Sequence, residues 1–192
     1  MQAIYAEGTS PVRAGPSVVG FGGGSAAQRP SVSAARPYIR RLNSGHEAQV
    51  SALLCGLEKS ARINRFGHPA SDIRVQGYAK GAVAGAAYMA GAFDAGLLIG
   101  VVEVFATCDG VAEVAFAIDA HWRRQGLGLA LLEAATRWAE QAGVATLRMV
   151  ISRSNWPMRQ LAHKAGARLD FDLDEISADI SVAAAVSLDI AA

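Results

Sequence analysis

Residues Glu113 to Leu132 have the sequence EVAFAIDAHWRRQGLGLALL, in which three kinds of pattern follow one another. The first is a short apolar run that begins two residues earlier and predicts a buried β-strand over 111–118. A loop rich in arginine and glycine comes next. From Leu127 onward, apolar residues recur every three or four positions as far as Gly143, which predicts an amphipathic helix over 127–142 that ends at this glycine. The stretch therefore predicts a strand that leads through a basic loop directly into a long helix.

This loop has the features of an anion-binding site. The first turn of a helix presents N–H groups without intrahelical partners and the positive end of the helix dipole. Arg123 and Arg124 add positive charge, and Gly126 and Gly128 lack a Cβ, so that a pyrophosphate can approach the backbone closely. The amides that we expect to contact it belong to Gln125, Gly126, Leu127, Gly128, Leu129 and Ala130. The alternative is a helix with a glycine-rich start and solvated arginines.

The remaining patterns indicate an α/β protein with a mixed, partly antiparallel sheet and flanking helices. Asp109-Gly110 is a strong β-hairpin signal between two strand candidates. Asn155 followed by Pro157 predicts the start of a helix, and Gly166 predicts its end. In chain order we predict a strand at 38–42, helices at 43–54, 57–66 and 71–78, strands at 85–93, 97–107 and 111–118, a helix at 127–142, a strand at 146–151, a helix at 157–165, and strands at 168–173 and 176–182.

The first 36 residues differ in composition from the rest, because they are rich in glycine, proline, serine and alanine. Such a segment buries too little apolar surface to offset its ordering entropy. We therefore predict a flexible tail over 1–36 and one folded domain over 37–192. The segment Gly20-Phe21-Gly22-Gly23-Gly24-Ser25 lacks the third glycine of a dinucleotide-binding fingerprint, and no Lys-Ser/Thr follows it as in a P-loop. We therefore do not expect it to bind phosphate.

The charge balance excludes strong long-range attraction to nucleic acid or to an anionic membrane. Lysine and arginine number 18, aspartate and glutamate 17, and the net charge is +1 at pH 7. We therefore expect neither partner, and an anionic ligand must be held by a local arrangement. The longest weakly polar stretch, 81–105, contains Asp94 and Glu103, and we interpret it as buried strands rather than a membrane span.

The two cysteines, Cys55 and Cys108, lie in apolar surroundings. Their number and spacing favour buried free thiols over a disulfide framework or a metal site. The N-terminus lacks the basic region, apolar core and small-residue cleavage site of a signal peptide. We therefore expect a cytoplasmic protein that uses no metal.

Four segments together resemble the GCN5-related N-acetyltransferase (GNAT) superfamily. Arg123–Leu132 is similar to the acetyl-CoA-binding motif of that family, and Ala112–Ile118 is similar to the strand before it. Asn155–Gly166 is similar to the family's second coenzyme-contacting element. Ser60–Phe66 is similar to a segment of the subset that includes bacterial protein-lysine acetyltransferases. The resemblance covers about Tyr38 to Val182.

The resemblance implies an N-acetyltransferase that moves an acetyl group from acetyl-CoA to a primary amine by direct attack. The amine belongs either to a small molecule or to a protein lysine, and a homodimer is compatible with this family. A splayed parallel pair of strands, 111–118 and 146–151, is implied to receive the pantetheine arm. To the coenzyme site, the resemblance adds the residues Phe116, Ala117, Ile118 and Asn155.

Glu113 matches the position of a frequent general base in this family; the alternative is a structural or solvated strand glutamate. At Ala162 the chain departs from the family pattern, because many relatives carry there the tyrosine that protonates the leaving thiolate. The thiolate can also leave unprotonated, since a thiol has a pKa of about 8.5. We expect the neighbouring His163 to be solvated.

Two questions stay open from the sequence. Arg62, Arg65 and His68 either face the acceptor or form an exposed helix face. The function has two alternatives as well: a non-catalytic acyl-CoA-binding or sensing module, which the missing tyrosine favours, and an unrelated α/β protein that binds another phosphate ligand.

Overall fold

The computed structural model describes residues 37–106 and 109–183, which form one β-sheet with helices on both faces. The elements in chain order are β1 (Tyr38–Arg41), α1 (Glu47–Cys55), α2 (Lys59–Phe66), α3 (Asp72–Gly85), β2 (Tyr88–Asp94), β3 (Leu97–Ala106), β4 (Val111–Ile118), α4 (Leu127–Gln141), β5 (Thr146–Ser152), α5 (Trp156–Lys164), β6 (Arg168–Phe171) and β7 (Glu175–Ser181). The predicted tail over 1–36, Cys108 and residues 184–192 lie outside the described residues, so the domain boundaries stay predictions.

The seven strands of the described residues follow the order β1-β2-β3-β4-β5-β7-β6. Every neighbouring pair is antiparallel except β4 and β5, which are parallel. Asp109 and Gly110, the last two residues before β4, form a turn and have left-handed φ angles of 61° and 73°, a conformation that glycine and aspartate tolerate better than most residues. The predicted α/β class and its mixed sheet with one parallel pair are confirmed.

The helices cover both faces of β2, β3 and β4, but only one face of the strands beyond them. On one face α4 and α5 share a core with β5, in which Leu131 packs near Leu147. On the opposite face α1 and α3 build a second core, in which Val75 packs near Phe93. Among the described residues this second core contains no side chain of β5, β6 or β7. Arg148, which alternates with the buried residues of β5, is accordingly exposed.

Helix α3 is longer than the sequence pattern predicts. The interpretation of 81–105 as strands is wrong for 81–85, because α3 continues to Gly85 and β2 begins only at Tyr88. Val75, Ala79 and Ala82 are buried at helical spacing, and this burial outweighs the low helix propensity of the glycines nearby. No helix in the described ranges has the length and apolar character that crossing a membrane requires. The cytoplasmic location stays a prediction.

A buried ionic cluster fastens α2 and α3 to the sheet. Glu103 of β3 is fully buried, and its Oε2 accepts hydrogen bonds from Arg65 Nη2 at 2.7 Å and from the Tyr78 hydroxyl at 2.5 Å. Burial raises the pKa of the Tyr78 hydroxyl, and the charge of Glu103 raises it further. Burial disfavours the charge of Arg65, but Glu103 and Tyr78 more than offset this and raise its pKa. Tyr78 is therefore a neutral donor in this cluster.

Arg62 fastens the start of α3 in a similar way. Its Nη1 lies 2.6 Å from Asp72 Oδ1, and its Nη2 donates to the carbonyl of Cys55. Arg62 and Arg65 are thus structural anchors between helices rather than an exposed helix face, whereas His68 is exposed. Cys55 is a free thiol, as predicted, but it is only half-buried.

Replacing Arg65 by methionine removes the counter-charge of a fully buried carboxylate. We expect Arg65→Met to lower the free energy of unfolding at neutral pH by about 3–5 kcal/mol, measured by urea denaturation. The double variant Arg65→Met/Glu103→Leu removes both charges and should recover most of that loss. As a control, Arg74→Met replaces an exposed arginine of α3 and should change the free energy by less than about 0.5 kcal/mol. An Arg65→Met variant as stable as the wild type would contradict a stabilising role for the cluster.

Candidate active site

The parallel strands β4 and β5 run side by side over only three residues each. Val111–Glu113 pair with Thr146–Arg148, whereas β4 pairs with β3 as far as Ile118 and β5 pairs with β7 along its whole length. Beyond Glu113 the edge of β4 that faces β5 therefore carries backbone N–H and C=O groups outside the sheet ladder. This separation is the predicted splay, and such an edge can hydrogen-bond an amide-bearing ligand.

Phe116, Ala117 and Ile118 form the end of β4 at this open edge. Phe116 and Ile118 pack against the core under α4, and Ala117 is buried in the core under α1 and α3. Because both cores hold these side chains, the backbone is what the edge offers to a ligand. The carbonyl of Ile118 already accepts a hydrogen bond of 3.0 Å from Arg123 Nε.

The loop between β4 and α4 passes twice through left-handed backbone, at Arg124 with φ 62° and at Gly126 with φ 84°. Glycine adopts this conformation without strain. Gly126 directly precedes α4, and no side chain in the described part of the chain caps the first turn of that helix. A Cβ on Gly126 would meet nothing within 4 Å. The first turn of α4 therefore has no side-chain cap and begins beside an open position at Gly126, as an anion site requires.

Gly128 lies where α4, the end of β4 and α5 meet. A Cβ on Gly128 would lie 3.5 Å from Ile118 Cδ1 and 3.5 Å from Leu161 Cδ2. The first turn of α4 is thus directly beside the separated end of β4. The predicted segment from Gln125 to Ala130 forms the end of the loop and the first turn of α4, beside the end of β4. The side chain of Leu127 is buried beneath it.

The two arginines of the loop have different surroundings. Arg123 Nη1 lies 2.6 Å from Glu58 Oε1, at the start of α2, and this hydrogen bond and charge lower the pKa of Glu58. The guanidinium of Arg124 is exposed. Sequence reasoning missed Glu58 because it lies 65 positions from Arg123, and no local pattern connects the two.

Helix α5 begins beside the site at Asn155, whose Oδ1 accepts a hydrogen bond of 3.4 Å from the Met158 N–H. Ala162 is fully buried and Leu161 half-buried, whereas His163 is exposed. The prediction that His163 is solvated is confirmed. The helix itself contains no tyrosine that could act as an acid.

Glu113 occupies the last position at which β4 pairs with β5. Its register neighbours are Phe105 of β3 and Arg148 of β5. The side chain is exposed, and within the described ranges its carboxylate has neither a hydrogen bond nor an ion pair. Glu103 lies diagonally across on the same face of the sheet, with its charge paired to Arg65. A free carboxylate at this position can accept a proton from a group bound where the strands separate.

Several solved structures share this fold. The GNAT domain of S. lividans PAT has a TM-score of 0.66 and 18% identity, over 76% of this chain and 90% of that domain. The PaiA N-acetyltransferase from Thermoplasma acidophilum, solved with coenzyme A, has a TM-score of 0.61 and 16% identity, over 77% of this chain and 99% of that enzyme. The ribosomal-protein-S18-alanine N-acetyltransferase from Escherichia coli has a TM-score of 0.59 and 19% identity, over 77% of this chain and 94% of that enzyme. At these identities the likeness shows a common fold.

No curated protein matches the sequence of this chain significantly. The family model of the acetyltransferase (GNAT) domain, however, matches residues 36–168. This range contains the separated strands, the loop before α4 and the start of α5, which are the elements that build the site. By this match over more than half of its length, the chain belongs to the GNAT acetyltransferase family.

Proposed function

We propose that this chain transfers the acetyl group of acetyl-CoA to a primary amine. The observation that carries the proposal is the open edge of β4 directly beside the uncapped start of α4. An extended arm with amide groups fits the edge, and a pyrophosphate fits the helix start. Coenzyme A carries both groups in one molecule, and the PaiA structure with the same fold contains it.

Each part of the coenzyme has residues suited to hold it. The amides of Gln125–Ala130 would bind the pyrophosphate, and the exposed guanidinium of Arg124 would add charge to that contact. The backbone of Phe116–Ile118 would pair with the pantetheine arm, and Asn155 would border it at the start of α5. Arg123 would stabilise the loop that carries these amides, because its side chain bonds the Ile118 carbonyl and Glu58. When bound, acetyl-CoA supplies the acetyl group as a thioester.

Glu113 would act as the general base. A lysine-like ammonium has a pKa of about 10.4, so that roughly one molecule in a thousand or fewer is neutral at pH 7. Only the neutral amine has the lone pair that attacks a thioester. The exposed carboxylate of Glu113 can accept the proton of the ammonium, directly or through a water molecule.

A second candidate is an acyl-CoA-binding module that does not transfer the acetyl group. The fully buried Ala162 favours it, because this position on α5 offers no acid for the leaving thiolate. The free carboxylate of Glu113 favours transfer. Turnover of acetyl-CoA in the presence of amines distinguishes the two functions.

The proposal covers primary amines of small molecules and of protein lysines. One structural neighbour is named for acetylating an alanine of ribosomal protein S18, which shows that proteins can serve as acceptors on this fold. The homodimer also stays a prediction. Strand β6 forms an edge of the sheet, and Phe171 at its end is 54% exposed.

Gly126→Glu tests the coenzyme site. We expect wild-type chain to bind acetyl-CoA with a dissociation constant on the order of micromolar, and the variant to bind about a hundredfold more weakly, because it places a carboxylate at the pyrophosphate. Isothermal titration calorimetry measures both. Gly143→Glu is a matched control, because Gly143 also has a left-handed φ, of 70°, and open space, but follows the other end of α4. Equal binding by wild type and Gly126→Glu would place the coenzyme elsewhere.

Glu113→Gln tests the base. We expect kcat to fall by about 10²- to 10⁴-fold while the affinity for acetyl-CoA is unchanged, because the amide cannot take the proton. Release of coenzyme A is followed with a panel of small amines and lysine-containing peptides, and Glu140→Gln on exposed α4 surface serves as control. A wild-type rate in Glu113→Gln would exclude this residue as the base. Tight acetyl-CoA binding without turnover on any amine would favour the non-catalytic module.

A further inference from the structure

Glu113 stands at one end of a row of charged side chains that crosses four strands. The register of the sheet aligns Glu113 of β4 with Arg148 of β5. It aligns Arg148 in turn with Asp179 of β7, and Asp179 with Arg168 of β6. Residues in register project from the same face, and neighbouring strands are about 4.8 Å apart. Negative and positive charges therefore alternate along one line, on the face opposite the α4 core.

Arg148 stands between two carboxylates and is paired with one of them. Its Nε lies 2.7 Å from Asp179 Oδ1, and its Nη2 lies 2.8 Å from Asp179 Oδ2. These two parallel hydrogen bonds lower the pKa of Asp179 and raise that of Arg148. Arg168 is a more distant partner, with its Nη2 3.7 Å from Asp179 Oδ2. Toward Glu113, its other neighbour, Arg148 makes no ion pair within the described residues.

The choice of partner by Arg148 decides whether Glu113 is free. A guanidinium on the neighbouring strand can reach either carboxylate, because both lie one strand away. If Arg148 were bonded to Glu113, its N–H groups would compete with the ammonium of the acceptor for the lone pairs of the carboxylate. An opposite charge in contact would also make Glu113 a weaker base. Asp179, with a side chain 17% exposed, is shielded from water and holds the guanidinium in a fixed fork.

We propose that Asp179 is a positioning residue of the active site. By holding Arg148 in the bidentate pair, it keeps the guanidinium away from Glu113 and leaves that carboxylate free to take the proton of the acceptor. The inference rests on the proposed function, in which Glu113 is the base. Arg168, which borders only Asp179 in the row and has a side chain 85% exposed, has no part in this role.

Asp179→Asn tests the inference, because it preserves the shape of the side chain and removes the charge that holds Arg148. We expect kcat to fall about tenfold or more, with the KM for acetyl-CoA unchanged. A crystal structure of the coenzyme-free variant should show the Arg148 guanidinium paired with Glu113. Adding Arg148→Gln to Asp179→Asn removes the competing guanidinium and should restore kcat to within about threefold of wild type. Arg168→Gln, the matched control, should keep the wild-type kcat.

The inference is overturned if Asp179→Asn keeps the wild-type kcat, if Arg148→Gln does not restore the lost rate, or if Arg148 stays away from Glu113 in the variant structure. Glu113→Gln, measured alongside, separates this failure from that of the proposed function. An inactive Glu113→Gln with a fully active Asp179→Asn leaves Glu113 as the base and rejects only the role of Asp179. A fully active Glu113→Gln rejects the base itself, and the inference with it.

Discussion

Two parallel strands that are neighbours in a sheet need a crossover connection, and helix α4 is that connection between β4 and β5. The loop 119–126 returns the start of α4 to the carboxyl end of β4, where Gly128 lies beside Ile118. Because the pair is only three residues long, the same end of β4 also has an open backbone edge. A single connection thus creates both halves of the candidate coenzyme site, at the strand ends where ligands bind in open α/β sheets.

Four arginines serve the fold, because a carboxylate holds each of them. The pairs are Arg62 with Asp72, Arg65 with Glu103, Arg123 with Glu58, and Arg148 with Asp179. They join helices to helices, helices to the sheet and strands to one another, and so fix the relative positions of these elements. The exposed carboxylate of Glu113 and the exposed guanidinium of Arg124 remain available for chemistry. Because the numbers of basic and acidic residues are nearly equal, recognition of an anion depends on local geometry.

Features with a local cause could be predicted from the sequence. The turn at Asp109-Gly110, the strand before the basic loop and the end of α4 near Gly143 each depend on residues a few positions apart, and all three are found. Long-range features could not. Helix α3 extends to Gly85 because the second core buries one of its faces, which periodicity within the segment does not reveal. The partners of Arg65 and Arg123 likewise come from distant segments that only the fold brings together.

The missing tyrosine on α5 is built into the packing of this chain. Ala162 is fully buried in the core that α4 and α5 share, and a much larger side chain there would overpack it. This position on α5 therefore provides no acid to protonate the leaving group. The thiolate then leaves unprotonated, which a thiol pKa of about 8.5 allows. Under the proposed function, the protein therefore promotes the proton transfer from the ammonium to Glu113. For this reason the surroundings of Glu113, and above all the guanidinium next to it, matter more here than in a relative that also supplies an acid.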